Sequence, residues 1–137
     1  MAIIEIGSAA AERLASAHLA WLTTVRRDGQ PQSSYVWFHF DGTDILVASQ
    51  PGTAKLRNIR ANPKVSFHLD GDGQGGGVLS IEGAADVIDD EPPPERLAAY
   101  LAKYDEVIRT RLQTTPDVLR RDFSATIRIT PSRVRAW

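Results

Sequence analysis

The segment over residues 49–63 holds the most distinctive set of polar and cationic side chains in this chain. Pro51 and Gly52 end a strand-like run, and Thr53 is expected to cap a short helix with its hydroxyl. Lys55 follows in the first turn of that helix, where free N–H groups and the positive end of the helix dipole are found. A lysine beside such a helix start favours binding of a phosphate or a carboxylate.

Neighbouring donors extend this predicted anion site. Ser49 and Gln50 offer neutral donors at the strand end, and Arg57 and Arg60 add cations within the next two turns. A helix places these two arginines on a different face from Lys55, so we expect them to be secondary partners. The alternative is a short solvated basic helix joining two strands, which is the more common meaning of an isolated K-x-R-x-x-R pattern.

The other polar residues form no catalytic or metal-binding pattern. His18, His39 and His68 fall in different predicted elements, without the spacing of a metal site. The chain has no cysteine, which excludes disulfides and thiolate chemistry. Neither a G-x-S-x-G nor a strand followed by G-x-G-x-x-G is present. A phosphate-binding segment without a catalytic constellation indicates that a cofactor supplies the chemistry while the protein orients it.

The composition is that of an ordinary globular domain. The 137 residues are 42% hydrophobic and 24% charged, with a net charge of −1. We expect one domain spanning residues 1–137. The small net charge gives no global field that favours nucleic acid or an anionic membrane, so neither is an expected partner. The lack of cysteine, of a signal-like start and of a membrane-spanning apolar run predicts a cytoplasmic protein.

The elements that must position this segment are mostly strands joined by short turns. Strands are expected over residues 19–25, 33–40, 44–49, 64–69, 78–88 and 124–130. Helices are expected over residues 9–18, 53–61 and 116–121, with a further helix starting at Pro92. Because the elements do not alternate as βαβ units, they favour a mainly β fold with peripheral helices, a six-stranded antiparallel barrel.

Several positions within these elements carry more detailed predictions. Ser8 is expected to cap the first helix, and Gly83 marks a bulge in the long fifth strand. A glycine-rich stretch at 70–77 connects two strands as a hairpin loop, and the last strand is expected to continue past Pro131. An apolar stripe at helical spacing indicates a face buried in the core or an interface. Its members are Leu97, Tyr100, Leu101, Tyr104, Val107 and Ile108.

Several runs of the sequence resemble a known protein family. The run 21–31 (W-L-T-T-V-R-R-D-G-Q-P) resembles the opening hairpin of the pyridoxamine 5′-phosphate oxidase-like split-barrel family. The runs 36–42 and 49–55, followed by R-N at 57–58 and N-P at 62–63, resemble its actinobacterial deazaflavin-dependent branch. The pair at 82–83 also matches a recurrent family position. The similarity covers most of residues 14–88, and residues 89–123 are much less diagnostic.

This resemblance implies a homodimer of split β-barrels that binds a flavin or deazaflavin at the subunit interface, with the early strands at that interface. It implies that Lys55, together with Ser49 and Gln50, meets the phosphate of the cofactor. The strand at Val36 and Trp37 would lie along the tricyclic ring, mostly through backbone contacts.

Two further positions match the family motif. Arg57 and Asn58 are therefore implied to bind the cofactor, although Asn58 could equally brace the helix. Tyr35 and Trp37 either line the substrate side or, as alternate residues of one strand, lie in the core, and the core is the preferred interpretation.

The branch mainly uses coenzyme F420, an 8-hydroxy-5-deazaflavin. The resemblance therefore implies an F420H2-dependent oxidoreductase that passes hydride to a small conjugated electrophile of the quinone or enone type. The alternatives are an FMN-dependent oxidoreductase and a non-catalytic module that carries flavin or deazaflavin or binds haem. The chain lacks a C-terminal segment of the kind that binds substrate phosphate in the oxidases, which argues against oxidation of pyridoxamine phosphate.

Overall fold

In the described residues, seven strands form one curled antiparallel sheet, against which the helices pack. The computed structural model describes residues 6–88 and 94–137. The strands are β1 (Ala20–Val25), β2 (Pro31–Val36), β3 (His39–Phe40), β4 (Ile45–Ser49), β5 (Lys64–His68), β6 (Leu79–Ile88) and β7 (Ala125–Ala136). Their order in the sheet is β2-β1-β5-β6-β7-β4-β3. The predicted mainly β antiparallel fold is confirmed, although the sheet has seven strands where the sequence indicated six.

Five helices surround this sheet in the described residues. They are α1 (Ser8–Ser16), α2 (Ala54–Ala61), α3 (Pro94–Lys103), α4 (Asp105–Thr110) and α5 (Pro116–Asp122). The predicted helix start at Pro92 lies outside the described residues. Within residues 6–88 and 94–137, none of the helices combines the length and the apolar character that crossing a bilayer requires.

The predicted strand 33–40 is wrong, because it divides into two strands with different partners. β2 pairs with β1, whereas β3 pairs with β4 through His39 and Leu46. The division is explained by Tyr104, whose hydroxyl accepts the N–H of Phe38 at 2.9 Å and lies 3.0 Å from the carbonyl oxygen of Phe38. The N–H of Phe38 is therefore satisfied by Tyr104 and its carbonyl by Nζ of Lys103, at 3.0 Å, instead of by a strand ladder.

The bulge in the long strand is confirmed. The pairing of β6 with β7 shifts register between Glu82 and Gly83. A side chain at Gly83 would place its Cβ 2.5 Å from the carbonyl oxygen of Thr130, so only glycine permits this close approach of two backbones. β7 also continues past Pro131, as predicted, and it pairs with β6 on one side and β4 on the other.

Two predicted helix caps are wrong in detail. Gly7, and not Ser8, precedes α1, a difference of one residue that is common at helix ends. Thr53 does precede α2, but its side chain makes no capping hydrogen bond. The hydroxyl of Thr53 instead lies 3.2 Å from Oγ of Ser49. The first turn of α2 therefore begins without a side-chain acceptor.

In the part of the chain that the structure describes, the buried apolar residues form two clusters. The larger one fills the sheet interior and includes Phe38, Phe67 and Ile127. The smaller one lies between α3, α4 and β4 and contains Leu46, Tyr100, Tyr104 and Ile108. The apolar stripe of the late helices thus contributes to the core, as predicted, but it is interrupted where α3 ends at Lys103 and α4 begins at Asp105.

Candidate functional site

A cavity of about 510 Å³ lies where β2, β4 and β7 meet the late helices. On the sheet side it is lined by Val36, Trp37, Leu46, Ala48 and Thr126. On the helix side it is lined chiefly by Leu97, Tyr100, Leu101, Leu119 and Phe123. Cavities of about 300–1,000 Å³ with mostly apolar walls and a few polar groups are typical of small-molecule and cofactor sites.

The helix α3 is held over the sheet by contacts along its length. Nη1 of Arg96 lies 3.2 Å from the carboxylate of Asp41, in the turn after β3. One turn later, the hydroxyl of Tyr100 accepts the N–H of Ala48 in β4 at 3.2 Å. These contacts place the apolar side of α3 opposite β4, which closes the cavity from above.

Lys55 is the sequence-predicted cation that lies in the wall of this cavity. Its side chain is half-buried, and burial lowers the pKa of its amine. Among the described residues it has no hydrogen-bond or ion-pair partner. A half-buried ammonium without a partner is unfavourable by itself, so the site is suited to a ligand that brings negative charge.

Three other predicted donors surround the turn that leads into Lys55. Oγ of the buried Ser49 donates to the carbonyl of Gln50 at 2.9 Å. Nη1 of Arg57 donates to the carbonyl of Gly52 at 2.7 Å. Neither Ser49, Gln50 nor Arg57 lines the cavity, so their contact with a cofactor stays a prediction.

Asn58 braces α2 against the sheet. It is buried, and its Nδ2 donates to Oγ1 of Thr24 at 3.0 Å and to Oε1 of Gln32 at 2.9 Å. These bonds agree with the bracing role that the sequence left open. Arg60 is exposed on α2 and lies outside the cavity wall.

Trp37 lies in the cavity wall and also packs against the smaller core cluster, and its contact with a substrate stays a prediction. The indole stacks on the ring of Tyr104, with 4.4 Å between centroids and 3° between planes. The hydroxyl of Tyr104 also donates to the carbonyl of His18 at 2.6 Å. Tyr104 therefore fixes the plane of one cavity wall.

Tyr35 is not a core residue, so that interpretation is wrong. It is 45% exposed, at the rim of the cavity. Its ring stacks on Trp21 at 4.6 Å, and its hydroxyl donates to Asp70 at 2.7 Å. Strand alternation predicts that Tyr35 and Trp37 lie on the same face. The prediction fails because β2 ends at Val36, between the two residues.

A second half-buried lysine lies at the end of α3, behind the cavity wall. Nζ of Lys103 donates to the carbonyl of Phe38 at 3.0 Å and lies 3.8 Å from the centroid of the Phe38 ring. Burial lowers the pKa of this amine to about 8. Its neighbour His39 also has a lowered pKa, caused first by burial and then by the charge of Lys103.

The shifted pKa of Lys103 predicts a pH dependence of stability. The ordinary pKa is 10.5 and the folded one about 8, so unfolding takes up a proton between these two pH values. The contribution of Lys103 to the free energy of unfolding therefore rises with pH across that window. We expect the difference in free energy of unfolding between the wild type and Lys103→Met to rise in the same direction, measured by urea denaturation. A difference that stays flat from pH 8 to 10.5 would contradict it.

Several polar residues of the cavity wall were missed at the sequence level, namely Arg96, Tyr100, Thr114, Arg120, Asp122 and Thr126, of which Tyr100 and Thr126 bear most on the site. Tyr100 was assigned only to an apolar stripe, and Thr126 was only one alternating residue of the last strand. A tyrosine within a leucine stripe does carry a signal, because a buried phenolic hydroxyl needs a partner. The sequence gives no comparable signal for Thr126.

The comparison with protein families agrees with this architecture. The family model described as pyridoxamine 5′-phosphate oxidase matches residues 6–137. The chain belongs to this family. Its resemblance to the split-barrel family is thereby confirmed, and with it the fold. The family is one of flavin- and deazaflavin-binding, oxidoreductase-like proteins.

Three solved structures share this fold. Rv2991, a conserved protein of Mycobacterium tuberculosis, is 26% identical with a TM-score of 0.74, and the match covers 98% of this chain and 86% of that one. An F420 reductase is 25% identical with a TM-score of 0.69, covering 95% and 98%. The haem storage protein HutZ of Vibrio cholerae is 18% identical with a TM-score of 0.71, covering 97% and 95%. At that identity HutZ shows the fold alone.

Proposed function

We propose that this family member is an F420H2-dependent reductase of small conjugated electrophiles of the quinone or enone type. The observation that carries the proposal is the half-buried Lys55, which has no partner among the described residues and lies in the wall of an otherwise mostly apolar cavity. The similarity to an F420 reductase over nearly the whole of both chains supports the choice of F420 over FMN.

The residues present fit such a cofactor. A phosphate would satisfy Lys55, and the first turn of α2 has no side-chain cap that competes for its N–H groups. The apolar wall and the flat face of Trp37 suit a tricyclic ring. Val36, Trp37 and Lys55 are therefore the residues that would hold the cofactor, at its ring and at its phosphate.

The protein's own contribution is to bind and orient the cofactor and the substrate, and to exclude water from between them. Reduced F420, when bound, supplies a hydride. The leucines of the late helices and Leu46 keep water from the reacting centre, which favours direct contact between the two partners. The proposal requires no acidic side chain, because the reduced product can take its proton from water once it leaves the cavity.

A second copy of this chain is the proposed partner. The edge strand β2 and its neighbour β1 present the stacked pair Tyr35 and Trp21, with Tyr35 45% and nearby Leu19 38% exposed. An aromatic and aliphatic surface of this kind suits burial against a partner. Light scattering of the purified protein at micromolar concentration tests the dimer, and a strict monomer would contradict it.

Ligand titration tests the cofactor and the activity in turn. The purified protein is titrated with F420, FMN and haem at fixed salt, and oxidation of F420H2 is then followed with a panel of quinones and enones. We expect F420 to bind most tightly and at least one acceptor to be reduced. Much tighter binding of FMN would favour the FMN-dependent alternative. Tight F420 binding without turnover on any acceptor would indicate a carrier, and preferred haem binding would indicate a haem module.

A further inference from the structure

We propose that the hydroxyls of Tyr100 and Thr126 form a binding site for a carbonyl oxygen of a flat conjugated ring inside the cavity. The inference rests on the proposed function and deepens it, because such a carbonyl belongs either to the cofactor ring or to a quinone or enone substrate. The shared chemistry is one ring carbonyl that accepts hydrogen bonds.

Thr126 carries the first observation. It lies on β7 in the cavity wall and is only 3% exposed. Its Oγ1 is buried and has no hydrogen-bond partner among the described residues. A buried hydroxyl without a partner destabilises a fold, whereas valine has the same shape without this cost. A ligand in the cavity would supply the missing partner.

The second observation is the hydroxyl of Tyr100, which lies on the helix side of the cavity. This hydroxyl accepts the N–H of Ala48 at 3.2 Å, and within the described part of the chain no acceptor lies within reach of its own proton. Burial raises the pKa of this phenol, so the hydroxyl stays neutral and keeps its proton to donate. Since Tyr100 already accepts one hydrogen bond, the partner it still needs is an acceptor.

Ala48 brings the two hydroxyls to the same part of the cavity wall. Ala48, which bonds to Tyr100, is also the direct partner of Thr126 in the ladder between β4 and β7. Directly opposite residues of antiparallel strands lie about 4.5–5.5 Å apart at Cα. Both groups are neutral hydrogen-bonding groups, which suit a carbonyl oxygen. The wall around them is mostly apolar, and besides Lys55 its charged members are Arg96, Arg120 and Asp122. Lys55, elsewhere in the same cavity, serves the anionic part of a ligand.

Two conservative variants and one control test the proposal. Tyr100→Phe and Thr126→Val each remove one hydroxyl and keep the shape of the side chain. Thr130→Val is the control, because it makes the same change further along β7, outside the cavity wall. For all four proteins we measure the dissociation constants of F420 and FMN, and the KM for menadione with F420H2.

Loss of one neutral hydrogen bond corresponds to about a threefold to tenfold change in affinity. If the carbonyl is that of the cofactor, both cavity variants weaken cofactor binding by this factor and the control does not. If it is that of the substrate, cofactor binding is unchanged and the KM for menadione rises. If neither quantity changes in either cavity variant, the proposal is overturned.

The melting temperatures of the variants distinguish a ligand-binding role of these hydroxyls from a purely structural one. Tyr100→Phe leaves the N–H of Ala48 unpaired and is expected to lower the melting temperature. Thr126→Val loses no partner and is expected to keep or raise it, so this variant carries the test even if Tyr100→Phe folds poorly. Weaker ligand binding by a protein that is equally or more stable is the outcome that a structural threonine would not give.

The outcome for this site can be separated from the outcome for the proposed function. Failure of the wild type to bind either F420 or FMN would contradict the function alone. Calorimetric titration of menadione into the same four cofactor-free proteins then decides about the two hydroxyls. Weaker menadione binding by Thr126→Val than by Thr130→Val supports the site, and equal binding overturns it.

Discussion

Replacing Lys55 with alanine is expected to weaken F420 binding by about 1.5–3 kcal/mol, which is roughly a tenfold to hundredfold rise in the dissociation constant. The lysine is half-buried and has no partner among the described residues, so a phosphate would form a charge-assisted hydrogen bond with little competition. Quenching of the intrinsic F420 fluorescence at fixed salt measures the change.

Lys64 supplies the matched control for this experiment. It is an exposed lysine at the start of β5, away from the cavity, so Lys64→Ala makes the same change in net charge. We expect that variant to bind F420 as the wild type does. Equal affinity of Lys55→Ala and the wild type for both F420 and FMN would remove Lys55 from the site.

Replacing Tyr104 with leucine is expected to lower the free energy of unfolding by about 3–5 kcal/mol. The ring is 1% exposed and stacks on Trp37, and its hydroxyl bonds to the backbone of Phe38 and to His18. Tyr104→Phe keeps the ring and removes only the hydroxyl, for which we expect a cost of about 1–3 kcal/mol. Urea denaturation of the purified variants gives both values.

An exposed tyrosine calibrates this measurement. Tyr35→Phe also removes a bonded hydroxyl, but on the surface, where we expect a change within about 0.5 kcal/mol. If Tyr104→Phe lowered the free energy of unfolding no more than Tyr35→Phe does, the hydrogen bonds between the Tyr104 hydroxyl and the backbone would contribute little to stability. Near-ultraviolet circular dichroism of Tyr104→Leu should in addition lose the signal of the ordered Trp37 indole.

Local patterns in the sequence were sufficient for most elements of the fold. Alternation and turn residues placed the strands, and Gly83 marked the bulge where two backbones approach. The break after Val36 could not be predicted, because the residues on both sides continue a strand pattern. It depends on Tyr104, which is 66 residues away from Phe38 in the sequence. Contacts at such separations leave no local signal.

The candidate site was predictable to a similar extent. Lys55 was identified because a helix start, a strand end and a cation are adjacent in sequence. Asn58 matched the same motif, yet its amide turns to Thr24 and Gln32. The opposite wall could not be predicted, because Tyr100 meets Ala48, which lies 52 positions earlier in the sequence.

The position of β7 between β6 and β4 has a consequence for the order in which the protein acquires its binding site during synthesis. β1, β2, β5 and β6 are neighbours in the sheet and can pair as soon as β6 has left the ribosome, but β4 and β3 join that sheet only through β7. Such non-local pairing is intrinsically slow. The sheet side of the cavity, with Ala48 from β4 and Thr126 from β7, is therefore complete only after β7 has paired with β4. A nascent chain has no complete cavity for a cofactor before that pairing. Binding of the cofactor in the cell therefore indicates that the sheet is complete.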